Sequence, residues 1–132
     1  MAITYNELKQ IVESHGFCIE DFDDKKDIQE LYIYIPDESN YWSTSRFYYA
    51  NAEKTFATAT FKSDKFEKMS IFKNLVIDNA EDKIYFNDMD GYEVKSNKIT
   101  VDLLNELCVT INTKFKHVKK ILKLNKIEED FE

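Results

Sequence analysis

Four side chains in this 132-residue sequence are soft enough to bind a transition metal: His15, Cys18, Cys108 and His117. Together they have the composition of a Cys2His2 zinc set, whose ligands must converge on one ion. Spacing argues against that. Cys108 and His117 lie nine residues apart in a segment of helical periodicity. They therefore face opposite sides and stand ~13 Å apart along the axis. Cys108 falls in the apolar stripe of that segment and reads as a core thiol. His117 sits among lysines and reads as solvated. His15 and Cys18 are close enough to serve as base and nucleophile of a Cys–His enzyme. A histidine near a helix C-terminus is already accounted for by the helix dipole, so this reading ranks last of three.

Other chemistries fail on their motifs. In Asn87-Asp88-Met89-Asp90-Gly91 a calcium loop with Gly91 at position six would need ligands at Phe86 and Asn97, which supply none. An Asp-Gly hairpin turn explains the run better. Gly16 and Gly91 are the two glycines of the chain, too few for a phosphate-binding loop or a dinucleotide fingerprint. There is no G-x-S-x-G elbow. The carboxylates Glu20, Asp21, Asp23 and Asp24 crowd one short stretch and read as a solvated turn rather than as convergent magnesium ligands. No catalytic residue, metal or cofactor is expected.

The elements that position these residues follow from patterning. Thr4 and Glu7 form a capping-box pair that opens a helix over Tyr5–His15, with Gly16 as its stop. Phe17–Phe22 reads as a strand ending in acids. Leu31, Ile33 and Ile35 alternate with Tyr32 and Tyr34, the period of a strand with one aromatic face. Pro36–Asn40 is a turn. Phe47-Tyr48-Tyr49 and Thr55–Lys62 are further strands, while residues 63–73 fit either a short helix or a loop. Leu75–Ile77 and Ile84–Phe86 form a hairpin around Asn79–Asp82, and Tyr92–Val94 follows. Thr100 caps a helix from Val101 to about Leu124. Its stripe is Val101, Leu104, Cys108, Ile111, Phe115, Val118 and Leu122, widened by Leu103, Leu107 and Ile121. The expected architecture is α+β: one domain over residues 1–132, an antiparallel meander of 5–6 strands, and an N-terminal and a long C-terminal helix packed on one face. Residues 127–132 read as an acidic tail outside the folded core.

Composition narrows the function. The net charge is −7, and it is unevenly placed. Residues 1–40 hold ten acids and three bases, residues 41–100 nine of each, and residues 101–127 two acids and six bases. The final five residues hold four acids. No apolar run approaches the ~20 residues of a membrane span, and Met1–Glu7 carries no secretory pattern. Two cysteines are no disulfide framework, so reduced thiols and a cytoplasmic setting are expected, with a Cys18–Cys108 bridge as the exception. Lys outnumbers Arg seventeen to one, usage that suits an AT-rich genome such as that of a low-GC bacterium or its phages.

Three surface features remain. The first is the acidic run Glu20, Asp21, Asp23, Asp24, Asp27 and Glu30, suited to a cationic surface. The second is an aromatic band from Tyr32 to Phe61, in which Tyr41, Trp42, Tyr48 and the lone Arg46 are interface-type residues and Tyr41-Trp42 is expected to be partly exposed. The third is a basic helix face of Lys116, Lys119, Lys120 and Lys123. The leading expectation is a non-enzymatic protein-binding module. It would be a small acidic inhibitor, in the manner of an immunity protein or a phage anti-defence protein. Its target would be a cationic nuclease or toxin acting on nucleic acid, met through Glu20, Asp21, Asp23, Asp24, Asp27, Tyr41, Trp42, Arg46 and Tyr48. The alternative is a nucleic-acid-binding accessory protein using the four lysines.

Overall fold

The structure, a computed structural model, describes residues 3–25, 27–39, 41–43, 51–63, 65–72, 74–78, 83–87, 91–95 and 98–130, with the side chains of 22–25 and 125–130 excepted. The elements are α1 (Tyr5–Ser14), β1 (Cys18–Lys25), β2 (Ile28–Tyr34), a 3-10 turn (Ala52–Lys54), β3 (Thr55–Lys62), β4 (Lys65–Ile71), β5 (Leu75–Asp78), β6 (Lys83–Phe86), β7 (Tyr92–Lys95) and α2 (Val101–Asp130). The fold is α+β. Strands run β1-β2-β3-β4-β7 in one antiparallel sheet, and β5-β6 form a separate two-stranded ribbon. The meander thus omits the ribbon, which is inserted between β4 and β7.

Local chemistry explains the helix ends. Thr4 Oγ1 accepts from the Glu7 backbone N–H, and Glu7 Oε1 accepts from the Thr4 backbone N–H. That reciprocal pair satisfies donors that the first helical turn leaves open. Gly16 follows with φ 87°, a conformation for which a side chain would be a penalty. The Leu103 N–H donates to Thr100 Oγ1 at the start of α2. Beyond Leu124 the helix continues to Asp130.

Two strands correct the sequence expectation. β1 carries the acidic run through Lys25 as strand, not as a turn, because Glu20, Asp21 and Phe22 pair with Tyr32, Leu31 and Glu30. β4 occupies most of the ambiguous 63–73 segment. Its register shifts between Thr60 and Phe61, so that Thr60 pairs with Lys68 and Phe61 with Phe66. The bulge at Glu67 sets buried Phe66 and Met69 three residues apart, which imitates helical spacing within a strand.

The sheet has a buried and an open face. Leu31, Ile33, Ala57, Ala59, Phe61, Met69 and Ile71 are buried and share a core with Leu8 and Val12 of α1 and Leu104, Cys108, Ile111, Phe115 and Leu122 of α2. Their neighbours in the strands, Tyr32, Tyr34, Thr58, Thr60 and Ser70, are half-buried, and Glu30, Lys68, Glu93 and Lys95 are exposed. An antiparallel sheet covered on one side leaves this alternation.

Segment 41–43 lies along β6. The Ser43 N–H donates to the Ile84 carbonyl, and the Ile84 N–H to the Tyr41 carbonyl. That docking puts Trp42 inside, only 4 % exposed. Its ring stacks on Phe115 at 5.3 Å and lies 6.2 Å from Phe86. Trp42 is therefore a core residue, contrary to the expectation of exposure.

Candidate functional site

Strand register brings together two features that are separate in the sequence. Across β1 and β2, Glu20 is opposite Tyr32 and Cys18 is opposite Tyr34. Across β2 and β3, Glu30 is opposite Thr60 and Tyr32 opposite Thr58. All these side chains point to the open face, since their neighbours Leu31 and Ile33 point into the core. The result is a polar, tyrosine-bearing surface flanked by carboxylates along the β1 side of the sheet. Glu30 and Tyr32 of β2, Thr58 and Thr60 of β3, and Lys68 and Ser70 of β4 line a shallow depression in the middle of this face, of about 210 Å³. Burial raises the pKa of Tyr34, and the adjacent Cys18 and Glu20 push in the same direction.

The other acids of the run are distributed around this edge. Asp21 points to the opposite side of β1, is exposed, and accepts a 2.7 Å hydrogen bond from Gln29 Nε2. Asp27 is exposed in the β1–β2 connection with φ 75°, a left-handed conformation that aspartate tolerates better than most residues. Its carbonyl accepts from the Ser63 N–H at 2.7 Å, which ties this connection to the next hairpin. The side chains of Asp23 and Asp24 lie outside the described set, as do Arg46 and Tyr48. Tyr41 is half-buried against the core, and buried Trp42 offers no contact surface. Among the described residues Tyr32 and Tyr34 stand beside Glu20 and Glu30, and the alternation with Leu31, Ile33 and Ile35 is the sequence signal that puts both tyrosines on one face.

The basic face of α2 is smaller than its four lysines suggest. Lys119 Nζ sits 3.2 Å from Asp37 Oδ2 and 5.1 Å from the centroid of the Phe115 ring. Burial opposes ionisation of Asp37, but hydrogen bonds from Ser39 and the Lys119 ammonium outweigh it and hold the carboxyl below its usual range. Lys119 is therefore engaged by an acid 82 residues away. Lys116, Lys120 and Lys123 are exposed and border an open groove with His117.

The soft ligands do not converge. Among the described residues no group of three or more His, Cys, Asp or Glu side chains is placed to hold a metal ion. His15 Nε2 is 2.8 Å from Asn105 Oδ1. Asn105 Nδ2 donates to the Val101 carbonyl, so its oxygen faces the ring and Nε2 is the donor. Asn112 Nδ2 donates to the His15 carbonyl. These bonds give His15 a structural task, fastening the end of α1 to α2. Cys18 faces outward opposite Tyr34, while burial pushes the Cys108 thiol up to about 12. Both cysteines are free. No helix among the described residues is long and apolar enough to cross a membrane. Comparison with protein-family models, with curated proteins and with solved structures gives no match.

Proposed function

We propose that the chain is a non-enzymatic protein-binding module that docks its acidic, tyrosine-bearing sheet edge on a cationic partner. One observation carries this reading: Glu20 and Glu30 stand in register beside Tyr32 on the open face of the sheet. A lysine or arginine brought to this surface meets a carboxylate and an aromatic ring together, which is the chemistry of charge-assisted hydrogen bonding and cation–π contact. The cationic surface is best assigned to a protein that itself handles nucleic acid, which gives the module the role of an inhibitor of the immunity or anti-defence kind.

The test is capture of binding proteins from the source cell by wild type and by the Glu20→Lys/Glu30→Lys variant. A basic protein held by wild type, released by salt and not held by the variant supports the proposal. Equal recovery by both chains overturns it. The second reading, nucleic-acid binding, rests on the exposed Lys116, Lys120 and Lys123 beside one groove. A gel shift at low salt that disappears in Lys116→Glu/Lys120→Glu would favour it over docking on a protein.

A further inference from the structure

The two edges of the sheet differ in kind. β1 is long, carries carboxylates and has a register shift between Phe22 and Lys25, features that discourage further strand pairing. β7 is short, reads Tyr-Glu-Val-Lys and pairs among the described strands with β4 alone. Its first residue lines a mainly apolar groove of about 120 Å³ together with Ile71, Leu103 and Leu107, where Glu106 and Thr110 supply polar atoms. Tyr92 and Leu103 there are 43 % and 39 % exposed. Val94 is half-buried on the same side of the sheet, opposite Met69.

We propose that this edge is a self-association surface on which a second copy of the chain pairs β7 to β7 in antiparallel register centred on Val94. The occupant follows from charge. In that register each Val94 faces its counterpart, and each Glu93, which already meets Lys68 Nζ of its own sheet at 3.3 Å, also faces the partner's Lys95, giving two opposite-charge cross-strand pairs related by a two-fold axis. The axis is normal to the sheet, so both helical layers lie on the same side. Tyr92 and Leu103 of each copy then line the seam, and the apolar groove loses its contact with water. The Lys98 N–H already bonds to the Lys95 carbonyl, which ends the ladder at Lys95 and keeps it short. Much of the association must therefore come from the groove residues. The β1 edges remain at the two outer ends of the ten-stranded sheet. This dimer stands independently of the proposed cationic partner and presents two copies of that docking edge.

Sedimentation equilibrium of the full chain across a concentration series tests it. The expected result is reversible dimerisation with a limiting mass twice 15.7 kDa. Glu93→Lys and Lys95→Glu, each alone, weaken it about tenfold by placing like charges opposite one another. An equimolar mixture of the two variants, and the double swap Glu93→Lys/Lys95→Glu, recover it. Leu103→Lys, at an exposed position, weakens it while the far-UV circular dichroism of the dilute monomer stays that of wild type. A monomer at every soluble concentration overturns the proposal. So does a dimer indifferent to the single swaps, or a mixture that fails to recover association. Loss of partner capture in Glu20→Lys/Glu30→Lys with dimerisation intact separates the two proposals.

Discussion

Replacing Asp37 by Asn isolates the contact that ties the segment after β2 to α2. The substitution keeps an oxygen for the Ser39 N–H, which donates to Oδ1 at 2.8 Å, and removes the charge that meets Lys119 at 3.2 Å. The side chains are 16 % and 32 % exposed, so the pair is worth more than a fully solvated one and less than a buried one. Exposed pairs give ~0.2–1 kcal/mol and hydrogen bonds to charged groups ~1.5–3 kcal/mol. A loss of about 1 kcal/mol follows, or about 4 °C in Tm for a domain of this size. Urea titration at several pH values is the assay. Asp37 is held below its usual range in the folded chain, so its stabilisation is complete above the unfolded value near ~3.9. It fades as pH falls through the lower folded value. The difference between wild type and Asp37→Asn is therefore full at neutral pH and closes under strongly acidic conditions. Lys119→Met, which keeps an apolar stem over Phe115, should remove the same increment, and the two changes together should cost little more than either. Equal stabilities at neutral pH, or a gap that persists unchanged into strong acid, would refute the argument.

Other consequences are simpler to measure. Trp42→Ala deletes a ring stacked between Phe115 and Phe86 and should cost about 3–5 kcal/mol, read by denaturant titration; wild-type Trp42 fluorescence should resist iodide quenching until the chain unfolds. A thiol reagent at neutral pH should titrate one cysteine, Cys18, in the folded protein, and Cys108, whose thiol burial pushes up to about 12, only after denaturation.

How much was legible in the sequence depended on the range of the interaction concerned. Thr4 with Glu7, and the apolar stripe of α2, are local patterns that carry their own physical meaning, and both helices start where those patterns place them. β2 was readable because Leu31, Ile33 and Ile35 alternate with tyrosines. β4 was not, because a bulge at Glu67 breaks its alternation. The burial of Trp42 was hidden by its polar neighbours; it depends on backbone bonds to Ile84, 42 residues away. The candidate site was only half legible. Its acids and its aromatics were each visible, but that Glu20 lies against Tyr32 is a fact of strand register, which composition does not encode. The engagement of Lys119 is hidden for the same reason, since its acid, Asp37, comes from the segment after β2 rather than from its own helix.

The central claim is that Glu20 and Glu30 act as a positioned surface and not merely as part of a net charge of −7. The decisive measurement is the affinity for the captured cationic partner at low and high salt, by titration calorimetry. It compares wild type, Glu20→Gln/Glu30→Gln, and the charge-matched control Glu13→Gln/Asp102→Asn at exposed helix positions away from the site. The account predicts that the site variant loses about tenfold or more and depends less on salt, while the control stays within about twofold of wild type. Equal losses in the two variants, or none in either, would contradict it.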